Sequence, residues 1–272
     1  MNIEKRPSAG RSGERFHLID GIRGLAVVNM TAFHFLYDWH DIFHGDSAWY
    51  WSLPVRIWQQ CICWTFILVS GFVWEWGRKK NLQRGLLLNL FGCLISGIMW
   101  LFMPEQAIWF GILNFYGCAV LLTIPLEKLL KRVLPAAGFL LSLALFLLTR
   151  DLQLGYIGTA GRPLAAIPSF LYKWKPMTVL GFPFPGFYST DYYPVFPWYF
   201  LFLCGFWLQQ IFRKHAGSVA GKEGGFRIRS FAASRVPFLS AAGRYSLRIY
   251  LLHQPVCFLA AAVLTKVSEL RI

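Results

Sequence analysis

Long apolar runs recur along the whole chain and constrain its fold more than any other feature. Each run approaches the roughly 20 residues that a helix needs to cross the hydrocarbon core of a bilayer, where only an internally hydrogen-bonded backbone is stable. A composition of 56% hydrophobic and 15% charged residues suits that solvent better than water. The sequence therefore predicts an all-α, polytopic membrane helix bundle with about seven spans, at 20–37, 54–76, 85–103, 107–126, 134–149, 193–212 and 240–264.

The Lys and Arg residues lie mainly in alternate segments between these runs. Nineteen of the 27 fall on one side, six fall on the other and two lie within spans; the richer side consists of 1–23, 77–84, 127–133 and 213–244. Because cytoplasmic loops carry an excess of Lys and Arg, this pattern predicts a cytoplasmic N-terminus, with residues 1–17 as a polar tail. The same pattern accounts for the net charge of +14 without nucleic acid as a partner.

The longest external segment, 150–192, is rich in Gly, Pro, Tyr and Phe and has little helical periodicity. Long loops usually have a function, and aromatic content argues against disorder, so we expect a cover or an acceptor-binding surface here. The six cysteines lie in apolar stretches without a CxxC pair, and we interpret them as small buried residues. We expect a single domain over 1–272, located in the inner (cytoplasmic) membrane.

The first span carries ionisable residues, which a membrane helix tolerates only with a partner or a function. His34 and Asp38 have the spacing that places both on one face of an α-helix, where the carboxylate can orient the imidazole as a general base. Arg23 lies on nearly the same face, roughly 16 Å away along the axis, which suits a long anionic donor bound from the cytoplasm. The alternative is that His34 and Asp38 are wet interfacial residues and that Arg23 is an ordinary cytoplasmic anchor.

Two groups of histidines are further candidates. His40 and His44 lie in a short acidic external loop and could bind a metal, although solvated residues without ligand spacing are the better interpretation. His253 precedes Pro255 in the last span and is either a residue that lines an internal cavity or a packed one.

Three other polar residues have two interpretations each. Asn114 in the fourth span either bonds across helices or binds a ligand. Asp191 is an acceptor-side carboxylate or a charge at a helix N-terminus. Arg248 falls near mid-membrane if the last span begins near 240, and it snorkels to the surface if that helix begins later. The chain contains no Ser-His-Asp elbow, P-loop, GxGxxG or HExxH pattern, so any chemistry is intramembrane.

Five segments in order resemble the heparan-alpha-glucosaminide N-acetyltransferase catalytic-domain family in its small bacterial form. They are IDGIRGLAVVNMTAFHFLYD, TFILVSGFVW, FGILNFYG, GFPFPGFYSTDYYPVFPWYFLFLCGFWL and LSAAGRYSLRIYLLHQPV. The spacing of Arg23 and His34 also resembles a motif of the broader transmembrane acyltransferases that modify cell-surface polysaccharides.

This resemblance implies an acetyltransferase that takes acetyl-CoA from the cytoplasm and modifies an amine or hydroxyl of an extracytoplasmic sugar. It implies that His34 is the catalytic histidine and that Arg23 helps to hold the donor. Helical spacing adds Asp38 as the residue that orients His34, and we expect no metal. We assign donor binding to Arg23, Asn114 and Arg244, and acceptor binding to His44, Asp191 and His253. The expected partners are the lipid bilayer and a glycan acceptor, and a homodimer is left open.

Two other classes of function stay open at this stage. A small proton-coupled transporter would use His34, Asp38, Arg248 and His253 as a path through the membrane. A non-catalytic membrane partner would keep the fold for assembly alone.

Overall fold

The computed structural model describes residues 17–159, 161–218 and 236–270, and most of them are helical. The predicted tail over 1–17 lies outside the described residues, except for His17. Strands β1 (Tyr156–Thr159) and β2 (Arg162–Ala166) form one antiparallel hairpin. The helices are α1 (His17–Tyr37), α2 (Ser47–Trp51), α3 (Leu53–Phe72), α4 (Asn81–Phe102), α5 (Ile112–Leu130), α6 (Pro135–Leu148), α7 (Val195–Ser218), α8 (Pro237–Arg244) and α9 (Ser246–Glu269).

Five helical segments in the described part of the chain are long and apolar enough to cross a membrane. They correspond to the last five predicted spans and are Arg78–Phe102, Ile112–Leu130, Pro135–Leu154, Val195–Lys214 and Ser246–Ser268. Helices α1 and α3 form where the first two spans are predicted, with 21 and 20 residues. Polar side chains such as Arg23 and Gln59 lower the mean hydropathy of these two helices. The chain is thus a largely helical membrane protein, and the count of seven spans and the cytoplasmic N-terminus stay predictions.

The last crossing helix begins later than the sequence analysis places it. Helix α8 ends at Arg244, and α9 begins at Ser246 after a break at Tyr245. Arg248 therefore lies in the first turn of α9, where it is exposed and its guanidinium lies 5.4 Å from the centre of the Tyr245 ring. This position supports the snorkelling interpretation of Arg248.

Contacts divide the chain into two compact units. The first contains residues 1–62 and 219–272, and the second contains 63–218, so α3 contributes to both. That the two units act as one domain stays a prediction.

In the first unit, α8 packs against the beginning of α1 with the two backbones in contact. A Cβ atom at Gly24 would overlap the carbonyl oxygen of Leu239, and one at Gly243 would overlap the carbonyl oxygen of Asp20. Only glycine permits so close an approach, as at small-residue interfaces between membrane helices.

In the second unit, an ion-pair cluster joins the ends of several helices. Glu75, just beyond α3, pairs with Lys131 at 3.1 Å and with Arg213 at 2.8 Å, while Glu127 pairs with Arg78 at 2.9 Å and with Lys131 at 2.6 Å. Although desolvation opposes it, the hydrogen bond from Lys131 and the nearby cations keep the pKa of Glu75 below its usual value. Three segments that the charge count places on the cytoplasmic side therefore meet at one end of this unit.

At the other end of the second unit, two segments that the charge count places on the external side lie side by side. Trp109 N–H donates to Ser189 Oγ at 2.9 Å, and Tyr193 N–H donates to the carbonyl of Phe110 at 3.0 Å. The connection before α5 is thereby fixed against the connection before α7. This agrees with the predicted alternation of the loops.

All six cysteines lie in the described part of the chain, and none of them forms a disulfide bond there. Cys204 and Cys257 are buried as expected, but Cys61 and Cys93 are exposed, so the interpretation of all six as buried residues is wrong. The reason is that a membrane helix is apolar on the faces that contact lipid as well as on those that contact protein. An apolar run therefore does not identify the packed face.

Candidate active site

The first part of the site is a buried carboxyl at the end of α1. The helix continues into a π-helical turn, Asp38–Phe43, and Asp38 is its first residue and has no exposed surface. Asp38 Oδ1 accepts a hydrogen bond from Gln254 Nε2 on α9 at 3.0 Å. Asp38 Oδ2 and Gln254 Oε1 have no hydrogen-bond partner among the described residues. Buried acceptors without donors are costly and π turns are frequent at functional sites, so this pair is a candidate for function.

The second part is a pair of histidines, one from α1 and one from α9. The ring centroids of His34 and His253 are 4.7 Å apart, and the ring planes meet at 62°. His253 Nδ1 lies 2.5 Å from the carbonyl oxygen of Tyr250. Because a carbonyl only accepts, Nδ1 carries the hydrogen, and the neutral ring keeps its lone pair on Nε2. That atom is buried without a partner among the described residues.

The expected hydrogen bond between Asp38 and His34 is not formed within the described part of the chain, because Asp38 pairs with Gln254 instead. The expected His34–Asp38 hydrogen bond assumes that the α-helix continues past Tyr37, where α1 ends. Asp38 begins a π turn, in which the angle between successive side chains differs from that of an α-helix. The His253 imidazole is the polar side chain in contact with His34, whereas the Asp38 carboxyl pairs with the Gln254 amide.

Two predicted donor-binding residues belong to the same unit. Arg23 and His34 lie on one unbroken helix, so their separation of about 16 Å along the axis holds. Arg244 is the last residue of α8 and follows Gly243, which contacts the backbone of Asp20. Both arginines thus lie at the contact between α1 and α8.

His44 follows the π turn and is exposed, and its Nδ1 donates to the carbonyl of Trp39 at 2.6 Å. His40 stacks on Trp49 with ring centroids 5.0 Å apart. Within the described ranges, no group of three His, Cys, Asp or Glu side chains could hold a metal ion. Acceptor binding by His44 stays a prediction.

Asn114 lies in the second unit, in the first turn of α5. Its Nδ2 donates to the carbonyl of Asn89 at 3.5 Å and to Cys93 Sγ at 3.6 Å, both on α4. It also borders a cavity of about 360 Å³ that Trp100 and Trp109 help to line. These contacts favour the interhelical interpretation, and donor binding by Asn114 stays a prediction.

Asp191 also lies in the second unit and is partly buried. Its Oδ2 accepts a hydrogen bond from the N–H of Ile112, in the first turn of α5, at 3.2 Å. Desolvation raises the pKa of Asp191 to about 6, although the Ile112 hydrogen bond favours the charged form. The residue therefore lies at a helix N-terminus, as one of the two interpretations expects, but the helix is α5 and not α7.

The structure thus separates the predicted site residues into two sets. The larger set belongs to the first unit: Arg23, His34, Asp38, His44, Arg244 and His253. Asn114 and Asp191 belong to the second. Gln254 is the contact that the sequence analysis omits, and the signal for it is its position next to His253 in a helix that crosses the membrane.

Apolar helices long enough to cross a bilayer, together with two imidazole rings in contact, define a polytopic membrane protein with a candidate acid–base centre. The profile of the family described as "Heparan-alpha-glucosaminide N-acetyltransferase, catalytic" matches residues 15–255, and the chain belongs to this family. The prediction from the five motifs is therefore confirmed. The chain is accordingly a member of a membrane acetyltransferase family. No curated protein and no solved structure matches it.

Proposed function

We propose that this chain transfers an acetyl group from acetyl-CoA to an amine or hydroxyl of a sugar on the external side of the membrane. The observation that carries the proposal is the contact between His34 and His253, beside the buried Asp38–Gln254 pair. Family membership supplies the class of reaction. Ionisable groups inside membrane helices are expensive, and two polar pairs that join the end of α1 and its π turn to α9 favour chemistry over packing.

In the proposed reaction, His34 acts as the general base. It removes the proton from the acceptor N–H or O–H as the acceptor atom attacks the carbonyl carbon of the thioester. The C–S bond then breaks, and the thiolate of coenzyme A takes up the proton that His34 holds. An acetyl-histidine intermediate is the alternative, since imidazole is a competent nucleophile.

His253 is the proposed positioning residue for this base. Its Nδ1–H is fixed on the Tyr250 carbonyl, which leaves Nε2 as an acceptor for a hydrogen bond from the His34 ring. Such a bond would select the ring orientation and tautomer of His34, the role that the sequence analysis assigns to Asp38.

Arg23 and Arg244 are the proposed contacts for the phosphates of the donor. Guanidinium groups bind phosphate oxygens bidentately, and both arginines lie at the α1–α8 contact, at the opposite end of α1 from His34. A donor with its phosphates there would reach His34 with its acetyl end.

The test is transfer of radiolabelled acetyl from acetyl-CoA in membranes that contain the chain, with total envelope glycan as acceptor. We expect wild type to label the glycan and His34→Ala to lower the rate by about 100-fold or more, the usual range for a lost general base. His40→Gln is the matched control, because His40 is in the same unit but packs on Trp49.

Equal labelling by wild type and His34→Ala, with both proteins folded, would contradict the proposal. Proton movement across liposomes without any acyl donor, lost in His34→Ala, would instead favour the transporter.

A further inference from the structure

The external segment between α6 and α7 exposes large apolar side chains at its surface. Leu164 is 70% exposed, Phe170 60% and Trp174 65%. Three exposed cations alternate with them in the sequence, namely Arg162, Lys173 and Lys175. We call these six residues the hairpin surface. Exposed apolar side chains of this size mark a site of interaction when they lie together with charges of one sign.

Hydrogen bonds attach this segment to the end of a helix that crosses the membrane. The crossing segment ends at Leu154, and β1 begins two residues later. The hydroxyl of Tyr172 donates to the carbonyl of Leu152 at 2.5 Å, and Ile167 N–H donates to the carbonyl of Gly155 at 2.9 Å. Both ends of the β1–β2 hairpin and the turn that follows it are therefore held where the helix leaves the bilayer.

The far end of the segment is attached in the same way to the next crossing helix. The hydroxyl of Tyr192, three residues before α7, donates to the carbonyl of Thr178. Gly181 approaches the carbonyl of Phe196 so closely that a Cβ atom would be 2.6 Å from that oxygen. A segment fixed to two crossing helices at their ends has little room to leave the level of the membrane surface.

The residue types on the hairpin surface match that location. Trp is enriched where the bilayer meets water, because its ring is apolar and its N–H is polar. Lys and Arg beside it bury their apolar stems and keep the charge at the headgroups. External segments of this topology hold few cations, yet 150–192 contains four, and three of them belong to the hairpin surface. Positive charge beside apolar anchors is complementary to anionic lipid.

We infer that the hairpin surface binds the outer leaflet of the membrane that the chain spans, with Leu164, Phe170 and Trp174 at the headgroup–acyl boundary and Arg162, Lys173 and Lys175 on anionic lipid headgroups. This assignment replaces the prediction of an acceptor-binding surface for this part of the loop. It does not depend on acetyl transfer.

The test uses the full chain with Trp174 replaced by the photo-crosslinking residue p-benzoylphenylalanine, reconstituted into bilayers of phosphatidylcholine with a minority of phosphatidylglycerol. After illumination, mass spectrometry identifies what is attached at position 174. We expect lipid adducts in which phosphatidylglycerol exceeds its share of the bilayer by roughly threefold, because three basic side chains attract it. The same chain carrying R162Q, K173Q and K175Q should give lipid adducts at the bulk ratio.

The matched control carries K79Q, K80Q and R132Q, which remove three exposed cations from the other end of the same unit. This control should keep the enrichment. Absence of lipid adducts in the folded protein would overturn the inference, and so would adducts at the bulk lipid ratio in the crosslinker chain that keeps all its Lys and Arg residues. Adducts with glycan or protein in native membranes, in place of lipid, would also overturn it and identify another partner.

Discussion

His34 and His253 come from opposite ends of the sequence, and their rings touch with centroids 4.7 Å apart. The Tyr250 carbonyl fixes the hydrogen of His253 on Nδ1, so Nε2 is the atom available to His34. Two substitutions of His253 distinguish the role of Nε2 from that of Nδ1. Gln can place an acceptor near the position of Nε2, whereas Asn can replace only the Nδ1–H donor.

We therefore expect His253→Gln to keep more acetyl-transfer activity than His253→Asn. The difference should appear in kcat and be about tenfold, the size of one lost hydrogen bond to a group that becomes charged. Steady-state kinetics with acetyl-CoA measure it. Equal loss in kcat for both variants would argue against a role for Nε2.

The Asp38–Gln254 pair predicts a change in stability that reverses in a double variant. Gln254→Leu removes the donor to a fully buried carboxyl and should lower the free energy of unfolding by about 1–3 kcal/mol. Asp38→Leu combined with Gln254→Leu removes both polar groups and should recover most of that loss. Unfolding in mixed detergent micelles compares wild type, the two single variants Asp38→Leu and Gln254→Leu, and the double variant. A double variant whose loss equals the sum of the two single losses would show that the pair is not coupled.

The contact between α1 and α8 predicts different effects for two glycines of the same helix. Gly24→Ala places a methyl group on the Leu239 carbonyl and should destabilise the protein by about 1–3 kcal/mol or more. At Gly21 no atom lies within 4 Å of the position that a Cβ would occupy, so Gly21→Ala is the matched control. It should be neutral or stabilising, by up to about 1 kcal/mol, because alanine favours helix. The midpoint of thermal unfolding compares the two, and similar midpoints would contradict the backbone contact.

Asp191 predicts a dependence of stability on pH. Desolvation raises the pKa of its carboxyl to about 6. The folded state therefore binds the proton more tightly than the unfolded chain, whose value is about 4. The free energy of unfolding should fall as pH rises from about 4 to about 6 and change little through this group above that range.

Asp191→Asn keeps an acceptor for the Ile112 N–H and should remove this part of the pH dependence. Glu105→Gln is the control, since Glu105 is an exposed acid of the same unit. Thermal midpoints between about pH 4 and pH 7 make the comparison. A midpoint difference between wild type and Asp191→Asn that stays constant over this range would refute the assignment.

The sequence alone predicts the helices well because membrane helices follow from apolar length. It also places His34 and Arg23 on one helix, which needs only the helical repeat. The π turn at Asp38 is not predictable in this way, because no residue type at that position specifies it, and neither is the hydrogen bond between Asp38 and Gln254. The break at Tyr245 is hidden for a related reason. The residues on both sides of Tyr245 are helical, so the sequence analysis counts them as one span that begins at 240.

The packing of α8 and α9 on α1 also has a consequence for how the protein is made. Helix α1 leaves the ribosome first, and its partners leave last, after the whole of the second unit. During synthesis Asp38 has no Gln254, and His34 has no His253. A nascent or truncated chain that ends before α9 therefore lacks the proposed centre, so the proposed acetyl transfer requires that α9 has been synthesised and has packed on α1.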